Sequence, residues 1–540
     1  MASGKKLFEI LLTLTNSERQ FIKKKLANQK ELTQEEHFLY YMLRHFRSNR
    51  KGLQDLERQY AFQERLSVAR MRQIRSDATQ LLLMMLVQFK VEDNVVIRNL
   101  LNLASAVELR RRKLYSRSIE INKKLLQDPV VPFYAPELRL MAFAEMQKIS
   151  RVDIRYSPLS DGQLMNVQSF NEEVNLFLDY LKMMSHLSDL RKWERTHGLP
   201  VKTIDFPERI VELYETLESV DLDSLIEKPP FVFRVYALCG GILYRLCLHF
   251  NSAYQWLEKL KHIYDQLLVK SKENKKLLAD QYLYDMLHLC GSSVGLGIKN
   301  NIELISKVEK DLKQFENVIP SARYVSYLST LFLFKVTAMF KQGKIDEIIR
   351  LFNKPPAIYR QILSSSDQQL ILHNAKLVYL MSLAIKGKTA FTLSQAQQMA
   401  KELKSRNQEV TLALLIVMAY ASSKNGYGIF QYVDKMISYI KRNFGELNIL
   451  PILKKLMVSV GNRNYEDAKQ TLKELESTLE KHPLEHNVFR QVPFIQIMRS
   501  IVDHEDLQQV LRNTDFHKEA LSLEDRCRRY LHKELIISTF

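Results

Sequence analysis

The chain has 540 residues, 46% of them apolar and 26% charged, with a net charge of +18 at pH 7. That length exceeds what one compact core holds and suits an array of helices; the composition is that of a folded globular chain, not a disordered or fibrous one. The cysteines, Cys239, Cys247, Cys290 and Cys527, include no close pair, which excludes a disulfide framework, and no apolar run approaches the roughly 18 residues that span a bilayer.

Glycine (15) and proline (14) are few for this length, so elements should be long, and the apolar period is helical almost throughout. Met1–Leu14 is interrupted by Glu9 and has no small-residue cleavage site, so no secretory signal is expected and the chain is placed in the cytoplasm. Charge is uneven: residues 1–127 hold 25 Lys and Arg against 13 Asp and Glu, which is +12 of the +18.

Residues 1–95 read as about five helices forming a cap or small domain. Thr15-Asn-Ser-Glu18 and Thr33-Gln-Glu-Glu36 are capping boxes that mark two helix starts. Phe38, Tyr41, Met42 and His45 share one face, Gly52 breaks the chain, and a longer helix runs from about Leu66 to Lys90. Asn99–Gln127 reads as one long helix or a broken pair, stopped by Asp128-Pro129 and Pro132. Glu137–Ile149 is helical, Arg151–Gln163 a loop with Pro158 and Gly162, and Asn166–Thr196 a long helix closing at Gly198-Leu-Pro200. Asp205-Phe-Pro-Glu208 opens the next, with Pro207 in its first turn.

Tyr236–Tyr264 is the most informative stretch. Gly241 is followed three residues on by Tyr244, and Ala253 four residues on by Leu257 and then Leu260. A small residue lets two helices approach, and a large one on the same face fills the space beside the contact. Second helices are expected near Phe250, Ile302, Ile345, Leu393, Tyr427 and Tyr465, with Asn464-Tyr465 to Leu475 and Gly343-Lys-Ile345 to Phe352 the clearest. Roughly residues 100–480 thus resemble degenerate tetratricopeptide repeats, although the gaps of 34–52 residues exceed the strict period of about 34 and most first helices lack the Trp and Gly of the pattern. The resemblance implies an all-α, right-handed helical-hairpin α-solenoid over residues 96–483, with an N-terminal helical cap (1–95) and C-terminal capping helices (484–540). One hairpin cannot bury its apolar faces alone, so the hairpins must stack.

Sites with chemistry are scarce. Gly291-Ser-Ser-Val-Gly295-Leu-Gly297-Ile-Lys299 lacks the Lys-Ser/Thr of a phosphate loop and follows a helix, not a strand, so it reads as small close-packing residues. His482 and His486 have a metal-like spacing, but Pro483 interrupts them and no third ligand is near. His249 and His288 read as core residues, and no nucleophile elbow is present. No metal, nucleotide or other cofactor is expected. The basic run remains. Arg110, Lys113, Arg117 and Lys124 are expected on one face at i, i+3, i+7 and i+14, and Arg111 and Arg112 widen the patch; Arg44 to Lys51 and Arg65 to Arg75 form two further clusters. Such clusters suit phosphates, an acidic partner or plain solvation, and Tyr40, Tyr41, Tyr60, Phe62 and Tyr115 nearby read mainly as core. The expected function is a non-enzymatic scaffold that binds a protein or peptide on a concave face; the alternatives are a nucleic-acid-associated regulator and an enzyme with an unrecognised site.

Overall fold

The computed structural model describes residues 3–537 except 30, 48, 94, 128–130, 132–134, 153–166, 198–199, 270–271, 364–368, 404–407, 426–428 and 490–491. It is 85% helix. Among the described residues no strand forms, and the only β pairing is one isolated bridge between Thr15 and Pro320. The proline break at 128–132, most of the loop at 151–163, Gly198 and Tyr427 lie outside the described residues.

Five helices open the chain: α1 (Ser3–Thr13), α2 (Asn16–Ala27), α3 (Gln34–Arg44), α4 (Arg50–Gln63) and α5 (Val68–Asp93). Both capping boxes form. The Thr15 hydroxyl accepts from the Glu18 amide at 3.1 Å while the Glu18 carboxylate accepts from the Thr15 amide at 2.8 Å, and Thr33 and Glu36 do the same. Gly52 does not break the chain: it lies in the first turn of α4, its amide capped by the Asn49 side chain at 2.6 Å. Leu7, Leu11, Ile22, Phe38, Leu53, Tyr60 and Ile74 form a core around α5. Next come α6 (Val95–Arg111), α7 (Tyr115–Gln127) and α8 (Pro136–Val152), with a second small core at Leu103, Leu125, Leu138 and Phe143.

The remainder comprises α9 (Val167–His197), α10 (Glu208–Ser219), α11 (Leu222–Leu225), α12 (Pro230–Leu246), α13 (Phe250–Val269), α14 (Lys272–Leu296), α15 (Asn301–Gln314), α16 (Ser321–Lys341), α17 (Ile345–Asn353), α18 (Ala357–Leu363), α19 (Gln369–Ile385), α20 (Thr389–Leu403), α21 (Gln408–Asn425), α22 (Ile429–Phe444), α23 (Ile449–Gly461), α24 (Tyr465–Lys481), α25 (Phe494–Val502), α26 (Leu507–Asn513) and α27 (Phe516–Ile537). One apolar core runs through it from Met183 to Leu535. The N-terminal helices dock onto the link between α15 and α16, where Ser17 donates to the Asn317 carbonyl from its amide at 3.3 Å and its hydroxyl at 2.9 Å.

Among the described residues seven helix pairs share one turn: α4/α5, which turns at Arg65, and six hairpins that also share their packing, α6/α7, α12/α13, α14/α15, α16/α17, α19/α20 and α23/α24. Each of the six contains one left-handed residue, in order Lys113, Leu248, Gly297, Gly343, Gly387 and Arg463. The amide of that residue bonds the carbonyl three positions back and the next amide bonds the carbonyl five back, as when Gly343 reaches Phe340 and Lys344 reaches Met339, both at 2.9 Å. These bonds satisfy the carbonyls a helix end leaves free. Counting from the turn aligns the packing. Seven residues before it stand Ala106, Gly241, Cys290, Val336, Leu380 and Leu456; five after it stand Ser118, Ala253, Ile302, Ile348, Thr392 and Ala468. All are buried except half-buried Ile302. A Cβ on Gly241 would come within 2.7 Å of Leu257, so glycine is what lets α12 and α13 close. Where the second position is Ser118 or Thr392, its hydroxyl donates to the carbonyl of its partner position, at 2.7 Å to Ala106 and 3.4 Å to Leu380.

Candidate binding surfaces

The basic run does not form one continuous face. The chain turns at Lys113, whose φ of 61° ends α6, and α7 sets off in a new direction. Arg110, Lys113, Arg117 and Lys124 therefore do not share a helix face. Arg110 is held by Glu145 of α8 at 2.7 Å, and Lys148 meets the same carboxylate at 2.6 Å. Burial pushes the Glu145 carboxyl up, but those two hydrogen bonds outweigh it and leave it below the ordinary range. Arg112 and Arg111 lie 2.9 and 3.9 Å from Glu108, and Lys124 lies 2.8 Å from Glu120. Lys113 and Arg117 are exposed, and Arg117 helps Lys124 to hold the Glu120 carboxyl below its ordinary range. Of the nearby aromatics Tyr60 is core, whereas Phe62 is 86% exposed.

The glycine-rich stretch is helical through Leu296, so Gly291 and Gly295 are close-packing residues: a Cβ would stand 3.0 Å from Phe334 at the first and 2.3 Å from Phe250 at the second. His482 ends α24, while His486 lies in the short 3-10 helix Pro483–Phe489. Burial, with Arg526 beside it, lowers the His486 pKa to about 4. Among the described residues no group of three His, Cys, Asp or Glu side chains is arranged to hold a metal. Burial raises the thiols of all four cysteines.

One concavity among the described residues was missed in the sequence reading. A cavity of ≈ 1030 Å³ lies between α14, α16 and α19 on one side and the returning segment from Leu479 to Arg526 on the other. Its apolar wall includes Phe334, Leu377, Met381, Phe489 and Phe494; its polar groups include Lys341, Asn374, Arg499, Glu519 and Arg526. Lys341 donates to the Val294 and Gly295 carbonyls at 2.8 and 3.3 Å, neutralising the negative end of α14. Burial brings its pKa down to about 8 although Glu519 opposes this.

The segment that closes the cavity is fastened to the hairpin turns one after another. Gln508 donates to the Gly343 carbonyl at 3.0 Å. His517 Nδ1 lies 3.2 Å from the Leu296 carbonyl, and a Cβ on Gly297 would come within 2.9 Å of the Phe516 backbone. The Glu524 carboxylate accepts from the amides of Asn251 and Ser252 at 2.7 and 3.2 Å, at the free N-terminus of α13. Asn487 donates to Leu246 at 3.0 Å and to Pro200 at 2.8 Å. From Gln508 to Glu524 the segment thus passes the turns in reverse chain order. Gly297 and Gly343 could have announced it, since both turn residues carry a close neighbour, whereas a Cβ on Gly387 would meet nothing within 4 Å.

Compared with protein-family models, with curated proteins and with solved structures, the chain matches none of them.

Proposed function

We propose that the protein is a non-enzymatic, cytoplasmic interaction scaffold, a right-handed helical-hairpin solenoid of the tetratricopeptide type that binds a protein or peptide segment on its concave side. One observation carries the reading: six hairpins repeat the same turn and the same pair of packing positions, and successive first helices, α14, α16 and α19, line one cavity. A row of like hairpins leaves a long surface suited to an extended partner. Apolar walls with a few converging polar groups give such a surface its grip. The measurement is a pull-down with the full chain beside Thr337→Trp, which fills the cavity from half-buried Thr337. Partners retained by the wild type and lost by the variant support the proposal; partners retained equally by both sink it.

A second reading, contact with nucleic acid through the first quarter, rests on exposed Lys113 and Arg117 and on exposed Phe62. It requires affinity that falls log-linearly with salt and drops on charge reversal at Lys113 and Arg117. Absence of binding by the full chain at about 50 mM salt retires it.

A further inference from the structure

The inner helices α9, α12 and α14 bring two arginines and a histidine together with almost nothing to pair them. The Arg191 guanidinium lies over the Tyr284 ring, 5.0 Å from its centroid, and Tyr284 meets His288 edge-on at 4.8 Å. Arg245 has one carboxylate near it, Glu194 at 3.7 Å, too far for a hydrogen bond. Nε of Arg191, Nε of Arg245 and Nδ1 of His288 are all buried and have no hydrogen-bond partner among the described residues. Buried donors without acceptors are rare in folded proteins, and a cluster of them calls for a missing group that satisfies them. Burial and the two guanidiniums hold His288 far below its ordinary pKa, so the imidazole is neutral and the positive charge belongs to the arginines.

The cluster adjoins the cavity. Gly291 lines it, and a Cβ at that position would stand 3.1 Å from Arg245 Nη1 and 3.0 Å from Phe334. Glycine there lets Arg245 and Phe334 pack directly against the α14 backbone, which sets the guanidinium immediately beside the cavity wall. We infer that Arg191 and Arg245, flanked by His288, form an oxyanion site on the concave face that receives a carboxylate of an acidic peptide segment. This rests on the scaffold reading for the peptide, though the oxyanion site itself does not. Planar guanidinium forks match a carboxylate in charge and in donor geometry.

The test uses the full chain. Its melting temperature is followed against inorganic phosphate and citrate, with chloride as the control at constant ionic strength, and binding of a labelled Glu/Ala decapeptide is compared with its Gln/Ala counterpart. The expected result is a rise of several degrees with either anion and selective binding of the Glu peptide. Both are lost in Arg191→Gln/Arg245→Gln, whose melting temperature without anion is equal to or above that of the wild type, because a site kept for a ligand is relieved when its unpaired cations are removed. The single variants serve if the double variant does not fold. No response to either anion, or equal responses in wild type and variant, overturns the site. A phosphate response that the Glu peptide does not share overturns the peptide carboxylate as its ligand. Partners captured equally by wild type and double variant leave the scaffold reading standing while this inference falls.

Discussion

Residues 183–535 and residues 7–146 are built from the same kind of helix yet are held together differently. The larger region has one continuous core, whereas the smaller region has a pair of separate cores. In the larger region charges join different helices and are buried: Arg234 of α12 meets Asp285 of α14 at 2.7 and 3.0 Å, and Tyr264 of α13 donates to the same carboxylate at 2.6 Å. Glu309, Lys335 and Tyr359 repeat the device farther along. In the smaller region several pairs lie within one helix and face water, such as Arg112 with Glu108, 70% and 49% exposed. Most of the exposed large apolar side chains also fall between Phe62 and Met184, including Leu83, Leu101, Met141 and Leu178. Helices of the larger region such as α14 pack against several others, whereas among the described residues α6 and α7 pack mainly against each other and α8, with α5 against α6. Cover by neighbouring helices is therefore what buries the surface; partly buried pairs between helices occur in both regions, Arg75 with Glu57 and Arg110 with Glu145 in the smaller one.

The sharpest way to break this contrast is to remove one staple from each region. Asp285→Ala leaves the Arg234 guanidinium buried and unpaired, and should cost about 3–5 kcal/mol. Glu108→Ala should cost under about 1 kcal/mol. Urea midpoints of the two variants measure this, and similar losses would erase the distinction. Next in size is overpacking at the hairpin contact. Ala253→Leu and Ala468→Leu, both fully buried positions, should each lower stability by about 1–3 kcal/mol; an unchanged midpoint at Ala468 would remove its hairpin from the series.

The third prediction concerns pH. His249 is fully buried between Tyr214 and Tyr244, and burial, with Arg528 adding to it, lowers its pKa to about 3. The unfolded chain takes up that proton near pH 6.5 while the folded one does not, so this stability is present above about 6.5 and lost as pH falls. Between about pH 8 and 5.5 the loss should be about 1.4 kcal/mol from this residue, and His249→Phe should flatten the slope accordingly. An unaltered slope would show that His249 is not responsible. The smallest effect is a gain. Exposed Arg463 holds a left-handed turn, so Arg463→Gly should raise stability by about 0.5–1 kcal/mol, read from the same urea midpoints.

Much of the larger region was legible. Second helices expected near Phe250, Ile302, Ile345 and Tyr465 begin at Phe250, Asn301, Ile345 and Tyr465, and the one expected near Leu393 begins at Thr389. Small residues at both positions occur, however, only as Gly241 with Ala253 in α12/α13 and Ala106 with Ser118 in α6/α7 among the six hairpins. Elsewhere the same two positions hold Cys290 with Ile302, Val336 with Ile348 or Leu380 with Thr392: spacing and burial persist while residue identity does not. The turn signal fades for the same reason, because Leu248, Lys113 and Arg463 occupy a conformation that glycine would announce. The basic patch was misjudged at one residue, since projecting Arg110 to Lys124 onto a single face assumed a helix that Lys113 ends. The cavity was illegible because its halves lie far apart in the chain and its fastenings run from side chains to backbone, which leaves no spacing to read.

Those fastenings set an order on the birth of the molecule. Glu524 reaches Ser252 across 272 residues, so at synthesis rates of about 5–20 residues per second the N-terminus of α13 waits roughly 14–55 s for its partner. From the moment Leu377 has been made until the closing segment follows, the apolar wall at Phe334 and Leu377 faces the translating cell uncovered. A chain terminated between Met381 and Leu479 would keep it so permanently and present quality control with an open, greasy trough instead of a finished protein.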